Sequence, residues 1–131
     1  MAALDATQAN AILNCILRQS STASTTGVKT RLGTNNPTAS VDMTELSGTG
    51  YTTGGTVTTF AAASGQSSSN TSTMSWTNGS GSTWTINGIE IWDEAGSPVR
   101  WLFGSWTGAP ISVANGNSFS VAAGGIAVTA S

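Results

Sequence analysis

The 131-residue sequence contains no histidine and a single cysteine, Cys15. Without histidine, neither a Ser-His-Asp nor a Cys-His nucleophilic system can be built. One cysteine without histidine also provides neither an internal disulfide nor a zinc ligand set. Charged residues make up only 8% of the chain, against about 25% in typical soluble domains. Because no run of about 20 apolar residues occurs, the sequence predicts no membrane-spanning helix.

Small polar residues and glycine take the place of charge. Serine, threonine and glycine together account for 56 of the 131 residues, while 38% of the chain is hydrophobic and five residues are tryptophan. Disordered chains are rich in charge and poor in aromatic residues. This chain has the opposite composition, which argues against disorder. The length suits one domain of ordinary size.

The charge balance bears on possible partners. The net charge is −2, and the cationic residues are Arg18, Lys29, Arg31 and Arg100. Nucleic-acid binding requires a basic patch or stripe, so no nucleic-acid partner is expected. Three of these cations fall within residues 1–35. This excess is either a chance result among ten charges or a mildly basic region that docks on an acidic partner through Arg18, Lys29 and Arg31.

An amphipathic helix is predicted over residues 4–18, within an N-terminal helical arm of residues 1–19. Apolar residues recur every three or four positions, and Asp5 with Gln8 three residues later forms a capping-box pattern. Cys15 falls on the polar side of the helical wheel. The stripe packs either on the chain's own domain or on another subunit. The candidate contact residues of this helix are Ile12, Leu13, Ile16, Leu17 and Arg18.

From Val28 onward the pattern is that of β-structure. Seven or eight short alternating segments are separated by turn signals such as Asn78-Gly79 and Asn115-Gly116. This is typical of an antiparallel sandwich or jelly-roll-like barrel. The pattern therefore predicts a single β-sandwich domain over residues 28–131, in a protein that is mainly β with one N-terminal helix. The hydrophobic phase changes at Asn87-Gly88, which predicts a bulge or bend.

No motif predicts catalysis. A glycosidase needs two carboxylates across a cleft, and Glu90, Asp93 and Glu94 lie close together in the sequence. Asp93 and Glu94 flank a predicted turn, where carboxylates are usually solvated. We therefore expect no enzymatic activity, no metal and no cofactor.

The tryptophans allow two interpretations. Trp84, Trp92 and Trp101 lie in or beside predicted strands and are assigned to the core, since buried aromatic residues dominate core energetics. Trp76 and Trp106 lie near strand ends. If they are exposed, these two form a platform on which sugar rings stack, and the chain would be a carbohydrate-binding module.

The order of short motifs resembles a group of small tailed-phage virion proteins, often labelled tail fibre or minor structural proteins. In these proteins, an amphipathic helix is followed by a short strand and a threonine- and proline-containing turn, here Lys29–Thr38. A glycine–tyrosine loop follows, here Ser47–Tyr51, and then a hydrophobic hairpin that begins with Gly88–Asp93. A Gly-rich strand pair, here Ala122–Ile126, ends the pattern.

This resemblance implies a non-catalytic virion structural protein. The finer expectation is a decoration protein on the outer capsid surface, assembled as a homotrimer and bound to the major capsid protein or another virion protein. A compact 131-residue sandwich is too short for a fibre with its own shaft, and symmetric multivalent attachment lets weak single contacts hold firmly. A tail-fibre or tail-tip subunit is the alternative. We expect synthesis in the host bacterial cytoplasm, with no membrane partner and no secretory signal.

Overall fold

A computed structural model describes residues 3–18 and 27–130. Within these ranges one helix lies near the N-terminus and the remaining regular elements are strands, which confirms the predicted class of a mainly β, antiparallel domain. Residues 19–26, which follow the helix, lie outside the described residues. The elements are β1 (Ala3–Leu4), α1 (Ala6–Arg18), β2 (Val28–Gly33), β3 (Thr56–Thr58), β4 (Ser67–Ser69), β5 (Met74–Thr77), β6 (Trp84–Ile86), β7 (Gly88–Asp93), β8 (Arg100–Ser105), β9 (Ile111–Val113), β10 (Ser118–Val121) and β11 (Ala127–Thr129).

The largest sheet has five strands in the order β1-β8-β7-β2-β3, all antiparallel. The β7–β8 hairpin shifts register between Ile91 and Trp92. This bulge brings Arg100 opposite Trp92, on the sheet face that also carries Glu90. The opposite face, with Leu32, Ile89 and Ile91, is apolar and buried.

Three two-stranded sheets cover that apolar face: β5 with β10, β4 with β11, and β6 with β9. Their inward residues join one core with the five-stranded sheet. Strand β5 alternates buried and exposed residues, so that Met74 and Trp76 point inward while Ser75 and Thr77 face solvent. On the solvent side, Ser75 and Ser120 form a cross-strand hydroxyl hydrogen bond of 2.8 Å.

The predicted bend at Asn87-Gly88 is confirmed. Strand β6 ends at Ile86 and pairs with β9, whereas β7 begins at Gly88 and pairs with β2 and β8. The chain therefore passes from one sheet to another at Asn87. A Cβ at Gly88 would lie 2.6 Å from the carbonyl oxygen of Asn35, so only glycine allows this close approach.

A buried tyrosine holds the glycine-rich loop between β2 and β3. The Tyr51 hydroxyl accepts a hydrogen bond from the Leu32 amide at 3.1 Å and donates one to Glu45 Oε1 at 2.8 Å. The same carboxylate oxygen accepts the Gly54 amide at 2.8 Å. Burial, together with the neighbouring Glu45 carboxylate, raises the pKa of Tyr51 well above its usual value. The hydroxyl therefore stays protonated and keeps donating throughout the physiological range.

Replacing Tyr51 with phenylalanine is expected to lower the free energy of unfolding by about 1–3 kcal/mol. The ring still fills its place, but the buried Leu32 amide loses its acceptor and Glu45 loses a donor. Urea denaturation measures the change. Thr52→Val, at an exposed neighbouring position, is the control and should change stability by less than about 0.5 kcal/mol. Equal effects of the two substitutions would contradict a role for the Tyr51 hydroxyl.

Candidate subunit interface

Helix α1 packs on its own domain with one side and leaves its apolar stripe in solvent. Gln8 is buried and Ile12 and Cys15 are half-buried. In contrast, Leu13, Ile16 and Leu17 are 53%, 69% and 75% exposed. The inward side is thus centred on Gln8 and Cys15, about a third of a turn from the stripe. We call Leu13, Ile16 and Leu17 the apolar stripe below.

The first turn of α1 is fixed to the five-stranded sheet. Asp5 caps the helix as predicted, since its Oδ1 accepts the Thr7 amide at 2.9 Å. The reciprocal half of the predicted capping box does not form, because the Asp5 amide donates to the carbonyl of Trp101 at 2.9 Å. Residues Ala3–Leu4 pair with β8 immediately before this point. The helix therefore begins at a defined place on the sheet edge.

A buried arginine connects the start of the helix to the sheet. Arg100 donates to Asp5 Oδ2 at 2.6 Å and to Glu90 Oε1 at 2.8 Å, and it also contacts the exposed Asp42 at 3.3 Å. Its remaining donors reach the carbonyl oxygens of Thr38 and Val41. Arg100 is 3% exposed and Glu90 1% exposed. One guanidinium group thus holds the helix start, strand β7 and the loop that follows β2.

The electrostatics of this cluster favour the charged forms of Asp5 and Arg100. Burial raises the pKa of Asp5, but hydrogen bonds from Arg100 and from the Thr7 amide outweigh it and hold that pKa below 3.8. Burial lowers the pKa of Arg100, while its hydrogen bonds to Asp5 and Glu90 raise it above the usual value. Charge-assisted hydrogen bonds of this kind are the strong ones, so the helix start is rigidly held.

The carboxylates of the β7–β8 hairpin are largely buried, although Asp93 and Glu94 were expected to be solvated beside a turn. Glu90 and Asp93 are buried, and Glu94 is half-buried. Glu90 accepts hydrogen bonds from Arg100, from the Met43 amide and from the Trp92 indole. Asp93 accepts the amides of Ala95 and Val99 and closes the hairpin. They act as structural acceptors within the chain, and the described residues contain no group of His, Cys, Asp and Glu suited to a metal ion.

Of the other predicted contact residues, Arg18 directly follows the apolar stripe on α1, whereas Lys29 and Arg31 lie on β2. Arg18 is exposed at the last position of α1. Arg31 is engaged within the domain, since its guanidinium lies 4.0 Å from the centre of the Trp92 ring and its Nε donates to Gly54 O at 3.3 Å. Lys29 is half-buried on the same strand. Of the predicted set, therefore, the second half of α1 forms one exposed surface.

An open apolar cleft lies between the five-stranded sheet and the β4–β11 pair. Its volume is about 180 Å³. Trp101 at its rim donates its indole N–H to Asp93 Oδ2 at 3.3 Å. The apolar residues lining the cleft are Val28, Phe60, Ile91, Trp101, Leu102 and Val128. Sequence reasoning did not find this cleft, because its walls come from six separate segments of the chain.

The alternative interpretation, in which Trp76 is exposed, does not match the structure. Trp76 is 4% exposed, its ring stacks on Phe119 at 5.9 Å, and its indole nitrogen donates to Thr56 Oγ1 at 3.0 Å. Trp106 is half-buried and meets the same Phe119 ring edge-on at 5.4 Å. Of the tryptophans assigned to the core, Trp84 is buried, whereas Trp92 and Trp101 are half-buried. The proposed two-tryptophan sugar platform is therefore not formed.

Charge is unevenly distributed over the elements. No charged residue occurs in segments 46–89 and 101–131, so β4, β5, β6, β9, β10 and β11 carry none. All ten charges belong to α1 and its cap, to β2, β7 and β8, or to the loops beside them. Electrostatic attraction of a charged partner would therefore act through the region around α1 and the five-stranded sheet. In the described part of the chain, no helix is both long and apolar enough to cross a bilayer.

Comparison with known families covers almost the whole chain. Residues 3–129 match the family model Gp80, described as podophage GP4 fiber I protein gp80. The match includes α1, the five-stranded sheet and all three small sheets. No curated protein matches the chain.

Proposed function

Because the chain belongs to the podophage GP4 fiber I protein gp80 family and is thus a phage virion structural protein, we propose that it is a non-catalytic fibre subunit. It assembles with copies of itself, as a homotrimer, through the second half of α1. The observation that carries this proposal is the exposed apolar stripe on a helix whose other end is rigidly held. The family description favours the fibre over the capsid-decoration role expected from the sequence.

The stripe has the chemistry of an interface rather than of a free surface. Three large aliphatic residues on two consecutive turns are 53–75% exposed. Burying one such side chain fully contributes about 1.5–3 kcal/mol, so a neighbour that covers all three gains several kilocalories per mole. Because Asp5 and Arg100 already fix the helix start, little conformational entropy remains to be lost on assembly.

Assembly is tested with a double substitution in the stripe. We expect the wild-type protein to be a trimer by light scattering, and Leu13→Asp/Leu17→Asp to be monomeric with an unchanged β-sheet circular dichroism spectrum. Asn10→Asp/Asn14→Asp adds the same two charges at exposed positions of the same helix and should leave the trimer intact. A double stripe variant that remains a trimer would show that assembly does not use this surface.

The position in the particle is tested separately. Antibodies raised against the purified protein should label fibres at the tail of intact virions in negative-stain micrographs. Labelling spread over the head would instead support the capsid-decoration role. Of the two candidate platform residues of the carbohydrate-binding alternative, the half-buried Trp106 remains. Glycan arrays test sugar binding by the wild-type protein, with Trp106→Ala as the control.

A further inference from the structure

We propose that the apolar stripe of one copy occupies the apolar cleft beside Trp101 in the next copy. This inference depends on the self-assembly proposed above and specifies the surface that receives the helix. A stripe and a cleft on different parts of one chain make a head-to-tail contact, and three such contacts close a ring when each rotates the next copy by a third of a turn.

The cleft has the size and chemistry for aliphatic side chains. An apolar cavity of about 150 Å³ holds a benzene-sized group, so the cleft of about 180 Å³ has room for a leucine or isoleucine side chain. Six of its seven lining residues are apolar, and the seventh is Ser68, whose hydroxyl donates to the carbonyl of Ala61 at 2.7 Å. An unmatched polar group therefore does not oppose entry of Leu13 or Leu17.

The helix cannot fill the cleft of its own chain with this stripe. Its start is held by Asp5 and Arg100, and its inward side is already occupied by Gln8, Ile12 and Cys15. The helix start is held on the Glu90 face of the five-stranded sheet, whereas the cleft opens beside Ile91 on the opposite face. A second copy is therefore the occupant that the geometry favours.

Charge at the two surfaces is complementary. The stripe is followed at once by the exposed Arg18, the last residue of α1. At the cleft, Trp101 is hydrogen-bonded to Asp93. The amide of the half-buried Glu94 donates to the carbonyl of Gly27 at 3.1 Å, next to Val28 of the cleft lining. An exposed ion pair of this type contributes little affinity, but it orients one copy on the next.

The decisive variant blocks the cleft without touching the helix. Ser68→Trp fills the cleft, and Ser75→Trp places the same side chain on the exposed hydroxyl face of β5 as the matched control. We expect Ser68→Trp to be monomeric by light scattering and Ser75→Trp to be trimeric, both with wild-type circular dichroism. A trimeric Ser68→Trp protein would overturn the inference while leaving assembly through α1 intact, because the helices would then contact one another.

Mixing identifies a head-to-tail contact independently of folding defects. Leu13→Asp/Leu17→Asp keeps a working cleft, and Ser68→Trp keeps a working stripe. An equimolar mixture should therefore form a one-to-one heterodimer that cannot close into a ring. Absence of a heterodimer, or a wild-type protein that is monomeric at all concentrations, would also overturn the inference.

A charge exchange provides the second test. Arg18→Glu and Glu94→Arg should each weaken association about two- to fivefold, and the double variant should restore wild-type association. The change should shrink at 1 M salt, where the Debye length is about 3 Å. Additive weakening in the double variant would show that these residues do not meet.

Discussion

Replacing Arg100 with alanine is expected to lower the free energy of unfolding by about 3–5 kcal/mol. The substitution leaves the Glu90 carboxylate buried at 1% exposure without its cation. It also removes the partner of Asp5 and the donors to the carbonyl oxygens of Thr38 and Val41. Breaking a buried pair from one side is costly because the remaining charge stays desolvated. Urea denaturation followed by tryptophan fluorescence measures the loss.

Two further variants separate charge from geometry. Arg100→Lys keeps the charge but cannot present the planar fork of donors to Asp5 and Glu90, so it should recover only part of the lost stability. Arg18→Ala removes an exposed arginine and should cost less than about 0.5 kcal/mol. A loss below about 1 kcal/mol for Arg100→Ala would refute the structural role assigned to the cluster.

The same cluster predicts an acid sensitivity of definite sign. The pKa of Asp5 is lower in the folded protein than its ordinary value of 3.8. Its ionised form therefore stabilises the fold above about pH 4, and this contribution is lost as the pH falls through the lowered pKa. Asp5→Asn should be less stable than wild type at pH 7, and the difference should narrow below pH 3.8. A difference that is constant with pH would contradict the assigned ion pair.

The helix and the bend at Asn87 follow from local sequence pattern, whereas the interface depends on long-range geometry. Over residues 28–130 the structure has ten strands where seven or eight were predicted. The helix and its Asp5 cap could be predicted from apolar spacing and from one suitable side chain. The bend at Asn87 could be predicted because the hydrophobic phase changes there. Which side of α1 faces the domain could not be predicted, because that rotation is set by Asp5 and by its contacts with Trp101 and Arg100, about 95 residues away.

The errors have physical causes of the same kind. Trp76 shares its strand phase with Met74, and this alternation places both in the core, so the alternative sugar platform at the strand end is not formed. Glu90 lies between Ile89 and Ile91 on the other face of β7. Its pairing with Arg100 depends on the bulge at Ile91/Trp92, which leaves no signal in residue spacing. The cleft depends on how the β4–β11 pair sits on the large sheet, which no single segment determines.

Asn78→Ala is expected to destabilise the fold by about 2–4 kcal/mol, because this fully buried amide joins the turn after β5 to the end of β9. Its Nδ2 donates to the carbonyl oxygens of Ser82 and Val113 at 2.7 Å, and its Oδ1 accepts the Ser80 amide at 3.0 Å. Alanine removes all three hydrogen bonds, of which the one to the Val113 carbonyl is buried. The backbone of Asn78 also bonds to Gly116 and Asn117, so the side chain and main chain together fix the turn after β5 against the turn after β9.

Asn78→Asp distinguishes loss of donors from loss of volume. The carboxylate keeps the acceptor for Ser80 but faces two carbonyl oxygens, in a part of the chain where segments 46–89 and 101–131 carry no cation. Burial raises the pKa of this carboxyl above the unfolded value of about 3.9. At pH 7, Asn78→Asp should therefore be no more stable than Asn78→Ala. It should regain stability as the pH falls toward 4, because the protonated acid again donates one hydrogen bond.

Thermal unfolding of Asn78→Asp at pH 7 and at pH 4 measures this change, with the exposed variant Asn115→Asp as the control. Parallel pH profiles for the Asn78→Asp and control proteins would mean that the two carbonyl oxygens do not require a donor.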